Sequence, residues 1–96
     1  MSAEDGYVPF PGSEWFKSAP TSPIIRMMAM RLVEEGCTEF GPVGPPSAHP
    51  LSGRRWTTHH RDSYARWQRK LGYRGADADG WPGARSWAKL RVPYSE

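Results

Sequence analysis

Apolar residues recur at helical spacing in two stretches of the chain. The first stripe comprises Ile25, Met28, Ala29 and Leu32, and the second comprises Tyr64, Trp67, Gln68 and Leu71. The i, i+3, i+4, i+7 spacing is typical of an amphipathic helix that rests one face on a core. Arg26, Glu34 and Glu35 fall off the first stripe, so we expect them to face water.

Residues with strong end preferences bound the first helix, which we predict over residues 22 to 35. Ser22 is an N-cap candidate, and Pro23 suits the first helical position because its missing N–H has no helical partner there. Gly36 takes the left-handed conformation cheaply and should end the helix. Cys37 is then expected to pack back against it.

The second helix is predicted over residues 57 to 71. Thr57 is its N-cap candidate, and Gly72 should end it. His60 stands at the third helical position, where an acidic residue would complete a capping box, so we expect a weakened cap. A glycine-rich turn follows, and a short third helix is predicted over residues 84 to 90.

The segments outside these helices are rich in proline. Residues 1 to 21 are predicted to form an extended arm, because three prolines oppose a continuous helix. The arm carries four large aromatic residues, which favours packing over the helices, although a platform for sugar rings is the alternative. Residues 41 to 55 contain four prolines and three glycines and are predicted to form a loop.

These elements predict an all-α fold, with three helices in residues 22 to 93 and the aromatic arm wrapped around them. Five tryptophans let aromatic side chains supply much of the core of this 96-residue chain. The expected core residues are Ile25, Met28, Leu32, Tyr64, Trp67, Leu71, Trp87 and Leu90.

Charge is unevenly distributed along the chain. The formal net charge is +3, but residues 1 to 50 hold three Lys/Arg against six Asp/Glu, and residues 51 to 96 hold ten against four. This asymmetry predicts an anionic partner for the second half, either a cell-wall polymer or a nucleic acid. A single cysteine excludes an internal disulfide.

Motifs for catalysis or metal binding are missing from the sequence. No CxxC, HExxH or GxSxG spacing occurs, and the DADG stretch at residues 77 to 80 lacks the later ligands of a calcium loop. We therefore expect no enzyme activity, no metal and no cofactor. Asp79 is expected to accept backbone N–H bonds and hold its turn.

Three stretches in the second half carry a resemblance to a known family. WQRKLGY (residues 67–73), DGWPG (79–83) and SWxxL (86–90) resemble the helix–loop–helix signature of small peptidoglycan-binding domains. The variety most similar occurs at the ends of actinobacterial and actinophage cell-wall proteins. Weaker similarity extends the resemblance to about residues 7 to 93, although the proline-rich stretch around residues 46 to 55 is longer than the family's.

The resemblance implies non-catalytic binding of bacterial peptidoglycan, which would target or anchor a partner or particle to the wall. The implied groove lies between the second and third helices, and the matching ligand-binding residues are Tyr73, Arg74, Asp79, Trp81 and Gly83. Trp81 can equally be a core residue, whereas Arg74 has no predicted core role.

Other functions stay open at the sequence level. A basic nucleic-acid-binding protein and a structural component of a larger, phage-like assembly are the alternatives, and nucleic acid is less favoured because no set of base-reading side chains is visible. Met27 and Met30 lie off the buried stripe, and we expect the aromatic arm to cover them, with contact to a protein partner or a second copy as the alternative. The chain shows no Sec signal and no membrane span, so an extracellular or wall-associated location is expected to need another export route.

Overall fold

The computed structural model describes residues 6–38 and 53–94, and in these ranges the chain is helical. The helices are α1 (Ser13–Lys17), α2 (Pro23–Glu34), α3 (Thr58–Lys70) and α4 (Ala84–Leu90), with a 3-10 helix at Gly75–Ala78 between the last two. No strand occurs in the described ranges, where the only extended pairings are two isolated bridges. The all-α prediction is confirmed.

Helix α2 begins and ends as its sequence predicts. The Ser22 hydroxyl accepts a hydrogen bond from the Ile24 amide at 3.1 Å, which caps the first turn. Gly36 adopts a φ of 75°, and the Cys37 amide donates to the Leu32 carbonyl at 2.9 Å. These bonds satisfy carbonyls that the helix end would otherwise leave unpaired, and they bury Cys37 against its own helix.

Helix α3 ends in the same way and begins after the predicted N-cap, Thr57. Gly72 has a φ of 102°, and the Tyr73 amide donates to the Gln68 carbonyl at 3.0 Å. The capping box is formed with His60, because the Thr57 amide donates to Nδ1 of His60 at 3.1 Å, and the predicted weakness of this cap stays a prediction. An imidazole nitrogen with a lone pair accepts this bond as a carboxylate oxygen would.

The N-terminal arm is not extended throughout. Residues 13–17 form α1, so the predicted count of three helices was too low. The prolines that argued against a helix flank this turn without interrupting it, since no proline lies between Pro11 and Pro20. The helix buries Phe16 completely, with its ring centroid 5.3 Å from those of both Trp56 and Trp87.

The two described ends of the chain are held together beside α4. The Val8 amide donates to the Val92 carbonyl at 2.7 Å, and Tyr7 forms an antiparallel bridge with Pro93. The indole N–H of Trp87 donates to the Val8 carbonyl at 2.8 Å. The arm therefore contributes both apolar side chains and a buried backbone acceptor to the core.

The core contains most of the residues that the stripes predict. Of the eight, only Leu71 is half-buried, because it follows the last turn of α3 and packs at the margin of the cluster. The described cluster also holds five residues that were not among the eight predicted ones, which are Val8, Phe16, Cys37, Trp56 and Val92. The proline-rich loop prediction lies largely outside the described residues, which resume at residue 53.

An ion-pair network links α2 to its neighbours. Glu35 was expected to face water; its side chain is 28% exposed, and its carboxylate lies 2.8 Å from Nζ of Lys70 and 2.7 Å from Arg31. These bonds, that to Lys70 first, hold the pKa of Glu35 below its usual range. Arg31 also donates to the Leu90 carbonyl at 2.9 Å, so one cluster joins three helices.

The two methionines proposed for a partner differ in exposure. Met27 packs against the core cluster, whereas Met30 is 46% exposed. A partner contact through this face stays a prediction. Within residues 6–38 and 53–94, no helix has the length and apolar character needed to cross a membrane.

Candidate functional site

The loop between α3 and α4 is fixed to α3 by a single buried side chain. The Gly80 amide donates to Oε1 of Gln68 at 2.8 Å, and Nε2 of Gln68 donates to the Trp81 carbonyl at 2.9 Å. Arg61 adds a bond from Nε to the Asp79 carbonyl, also at 2.9 Å. The Gln68 side-chain amide thus satisfies one backbone donor and one backbone acceptor of the loop, and it sets the position of the loop relative to α3.

Gly80 allows the loop to approach the helix this closely. Its φ is 88°, and a Cβ added there would lie closer than 3.0 Å to the backbone carbonyl oxygen of Arg61. The Asp79 carboxylate accepts from the Trp81 amide at 2.9 Å, as expected for an aspartate that holds a turn. The Asp79–Gly80 pair of the signature therefore has a structural role in this chain.

The side of the loop next to α4 is fixed by Ser86. The Ser86 hydroxyl lies 2.7 Å from the Tyr64 hydroxyl and donates to the Gly83 carbonyl at 3.1 Å. The Trp67 indole donates to the Ser86 carbonyl at 3.0 Å. Burial raises the pKa of the Tyr64 phenol, which stays protonated and able to donate.

These contacts leave an open cleft of about 440 Å³ between the loop and the start of α4. The volume lies within the range of about 300 to 1,000 Å³ that is usual for small-molecule sites. The cleft is lined by Gln68, Tyr73, Asp77, Asp79, Trp81, Gly83, Ala84, Arg85 and Ser86.

Four of the five residues implied by the resemblance line this cleft. They are Tyr73, Asp79, Trp81 and Gly83, whereas Arg74 is exposed before the 3-10 helix and is not part of the lining. The structure places another arginine there, Arg85, which the sequence analysis did not select. The signal that could have identified Arg85 was its position, two residues after the DGWPG stretch and second in α4.

Trp81 borders the cleft while making several contacts within the protein. Its ring stacks on Trp56 with centroids 5.6 Å apart and planes 20° apart. The Arg61 guanidinium lies 4.7 Å from the Trp81 centroid, and the Lys17 ammonium lies 5.8 Å from it. The ring is half-buried, so its two predicted roles, core packing and lining of a groove, coexist in one position.

His60 lies behind this aromatic pair. It is 1% exposed, and its ring is 5.8 Å from that of Trp56, at an angle of 28°. Nδ1 lies 3.1 Å from the Thr57 amide nitrogen and 2.8 Å from the Thr57 hydroxyl oxygen, and Nε2 has no hydrogen-bond partner in the described part of the chain. Burial lowers the pKa of His60 from 6.5 to about 4, with a smaller contribution from His59.

This buried histidine predicts that acid destabilises the protein. Between pH 6.5 and 4 the unfolded chain binds a proton at His60 that the folded chain does not, so stability falls as the pH falls. The loss should reach about 3 kcal/mol at pH 4, as measured by urea unfolding. His60→Gln keeps a capping acceptor without titrating and should remove most of this slope, while His59→Gln should retain it. An unchanged slope in His60→Gln would assign the acid sensitivity to other groups.

Comparison with known proteins gives no relative from which a role could be transferred. No protein family model, curated protein or solved structure matches this chain.

Proposed function

We propose that this chain is a non-catalytic module that binds bacterial cell-wall peptidoglycan in the cleft between α3 and α4. The observation that carries the proposal is the cleft itself, in which two aromatic residues and three charged residues border one space. Aromatic rings with a few polar groups are the usual lining of a carbohydrate or peptide site. The resemblance to small peptidoglycan-binding domains supports the same location, since its three stretches surround this cleft.

The reactive side chains of the described residues favour binding over catalysis. Burial raises the pKa of the Cys37 thiol and opposes thiolate formation. The Ser86 hydroxyl is held by Tyr64 and Gly83, and His60 is buried away from the cleft lining. Among the described residues no three His, Cys, Asp or Glu side chains are placed to hold a metal ion.

The charge distribution favours the wall over nucleic acid. Lys70, one of the basic residues of α3, is paired with Glu35, which reduces the positive field on that face. The cleft carries Asp77 and Asp79 beside Arg85, an arrangement that repels a polyphosphate chain. A role as part of a larger assembly is compatible with wall binding, because a binding module can anchor a particle.

The proposal is tested by cosedimentation with purified sacculi, with DNA-cellulose as the competing matrix. We expect the protein to pellet with sacculi and to stay in solution with DNA-cellulose at physiological salt. Retention on DNA-cellulose alone would replace the proposal with the nucleic-acid alternative.

The two arginines near the loop provide a matched pair of variants. Arg85→Ala should weaken sacculus binding by about tenfold or more, as expected for the loss of a charge-assisted hydrogen bond. Arg74→Ala should change it by less than about twofold, because Arg74 lies outside the cleft lining. Both residues are exposed, so both variants should unfold within about 0.5 kcal/mol of the parent. If Arg74→Ala weakened sacculus binding more than Arg85→Ala, the binding site would lie outside the cleft and include Arg74, as the sequence predicts.

A further inference from the structure

The geometry points to the peptide part of the wall polymer as the ligand, recognised through an amine and a carboxylate on the same molecule. This inference rests on the proposed function and specifies which component of the wall the cleft binds. It follows from which polar groups of the cleft are already used by the protein.

The polar groups at the back of the cleft are occupied. The Gln68 side-chain oxygen accepts from the Gly80 amide, and the side-chain nitrogen donates to the Trp81 carbonyl. Ser86 bonds Tyr64 and Gly83 through its hydroxyl. Gln68 and Ser86 are also almost completely buried, at 3% and 2% exposure, so the exposed charged groups of the cleft are the ones that a ligand meets.

Two charged side chains of the cleft, Arg85 and Asp77, are not used in this way. In residues 6–38 and 53–94, neither the Arg85 guanidinium nor the Asp77 carboxylate takes part in a hydrogen bond or ion pair. Both are exposed on the same cleft without neutralising each other. One unpaired cation and one unpaired anion complement a ligand that carries both charges.

Other wall components fit this pattern less well. A teichoic acid or other polyanion would place phosphates beside Asp77 and Asp79, where like charges repel. A glycan strand without peptides offers no positive group for Asp77. A stem peptide with a free side-chain amine and a terminal carboxylate pairs with Asp77 and Arg85, while its aliphatic parts contact Tyr73 and Trp81.

Three probes separate this inference from the proposed function. They are intact sacculi, sacculi stripped of their stem peptides by an amidase, and a synthetic tripeptide with a free side-chain amine and a terminal carboxylate. We expect binding to the first and third and at least tenfold weaker binding to the second. Equal binding to stripped sacculi would overturn the peptide assignment and leave wall binding intact, whereas failure to bind any sacculi would overturn both.

Two single-charge variants test the pairing of groups. Asp77→Asn should weaken binding of the tripeptide with a free side-chain amine by about tenfold. It should leave binding of the analogue that is acetylated on this side-chain amine unchanged. Arg85→Gln should likewise weaken binding of the tripeptide with a free terminal carboxylate. It should leave binding of the analogue with a terminal carboxamide unchanged. Asp62→Asn and Lys89→Gln are exposed controls on α3 and α4 outside the cleft lining, and they should bind like the parent. Variants that lose affinity equally for charged and blocked peptides would refute the assigned contacts.

Discussion

Replacing Trp67 with alanine is expected to destabilise the protein by about 3 to 5 kcal/mol, the usual cost of removing a buried tryptophan. Trp67 is 4% exposed, and its indole N–H holds the Ser86 carbonyl at the start of α4. A domain of this size has a total stability of about 5 to 15 kcal/mol, so a large share of the fold depends on one residue. Urea unfolding followed by far-ultraviolet circular dichroism measures the loss.

A second substitution at the same position separates packing from hydrogen bonding. Trp67→Phe keeps an aromatic ring but leaves the Ser86 carbonyl without its donor, so it should cost about 1 to 3 kcal/mol. If Trp67→Ala lost less than about 1 kcal/mol, Trp67 would not be the link between α3 and α4 that the structure shows.

Gly80→Ala is the second substitution with a large expected effect, a loss of about 3 kcal/mol or more. The new methyl group meets the Arg61 backbone, which cannot move without disturbing α3, and the residue keeps a φ of 88° that alanine adopts only with strain. The loop should detach from Gln68, so the cleft should lose its shape along with the stability. Thermal unfolding and sacculus binding report the two consequences.

Gly75→Ala is the matched control for this effect. Gly75 also has a positive φ, 58°, but an added Cβ there meets no atom within 4 Å. Its substitution should therefore cost only the backbone strain, about 1 to 2 kcal/mol, and should leave the cleft intact. Equal losses at the two positions would show that the close approach of Gly80 to Arg61 contributes nothing.

Local sequence signals were sufficient where local interactions decide the structure. The Ser22 cap and the glycine stops after α2 and α3 depend on residues within one turn, so α2 and α3 begin and end close to their predicted positions. The helical periodicity likewise identified buried residues such as Leu32 and Tyr64. Neither feature requires knowledge of the rest of the fold.

Long-range contacts account for what the sequence did not reveal. The arm was predicted to be extended, but Phe16 gains its burial from Trp56 and Trp87, and packing against distant partners stabilises a helix of five residues. The ion pair of Glu35 was not predicted, because its partner Lys70 lies 35 positions away. Such pairs leave no periodic trace in the sequence.

In the candidate site, too, some features follow from local sequence and others depend on long-range contacts. Two residues of the signature have roles that depend on their type: the Gln68 side-chain amide bonds backbone groups of the loop, and Gly80 has a φ of 88° and lies close to Arg61. It did not distinguish Arg74 from Arg85, since both flank the loop and only the three-dimensional path of the chain decides which one reaches the cleft.

Wall binding in the cleft is tested by following the backbone amide and indole N–H signals in a ¹H–¹⁵N spectrum during titration with soluble muropeptides. We expect a saturable shift of the Trp81 indole and of the Tyr73 and Arg85 amides, all of which belong to cleft residues. The Trp87 indole, bonded to the Val8 carbonyl in the core, should keep its position. Absence of any shift at millimolar muropeptide, or shifts confined to the Met30 face of α2, would contradict wall binding in this cleft.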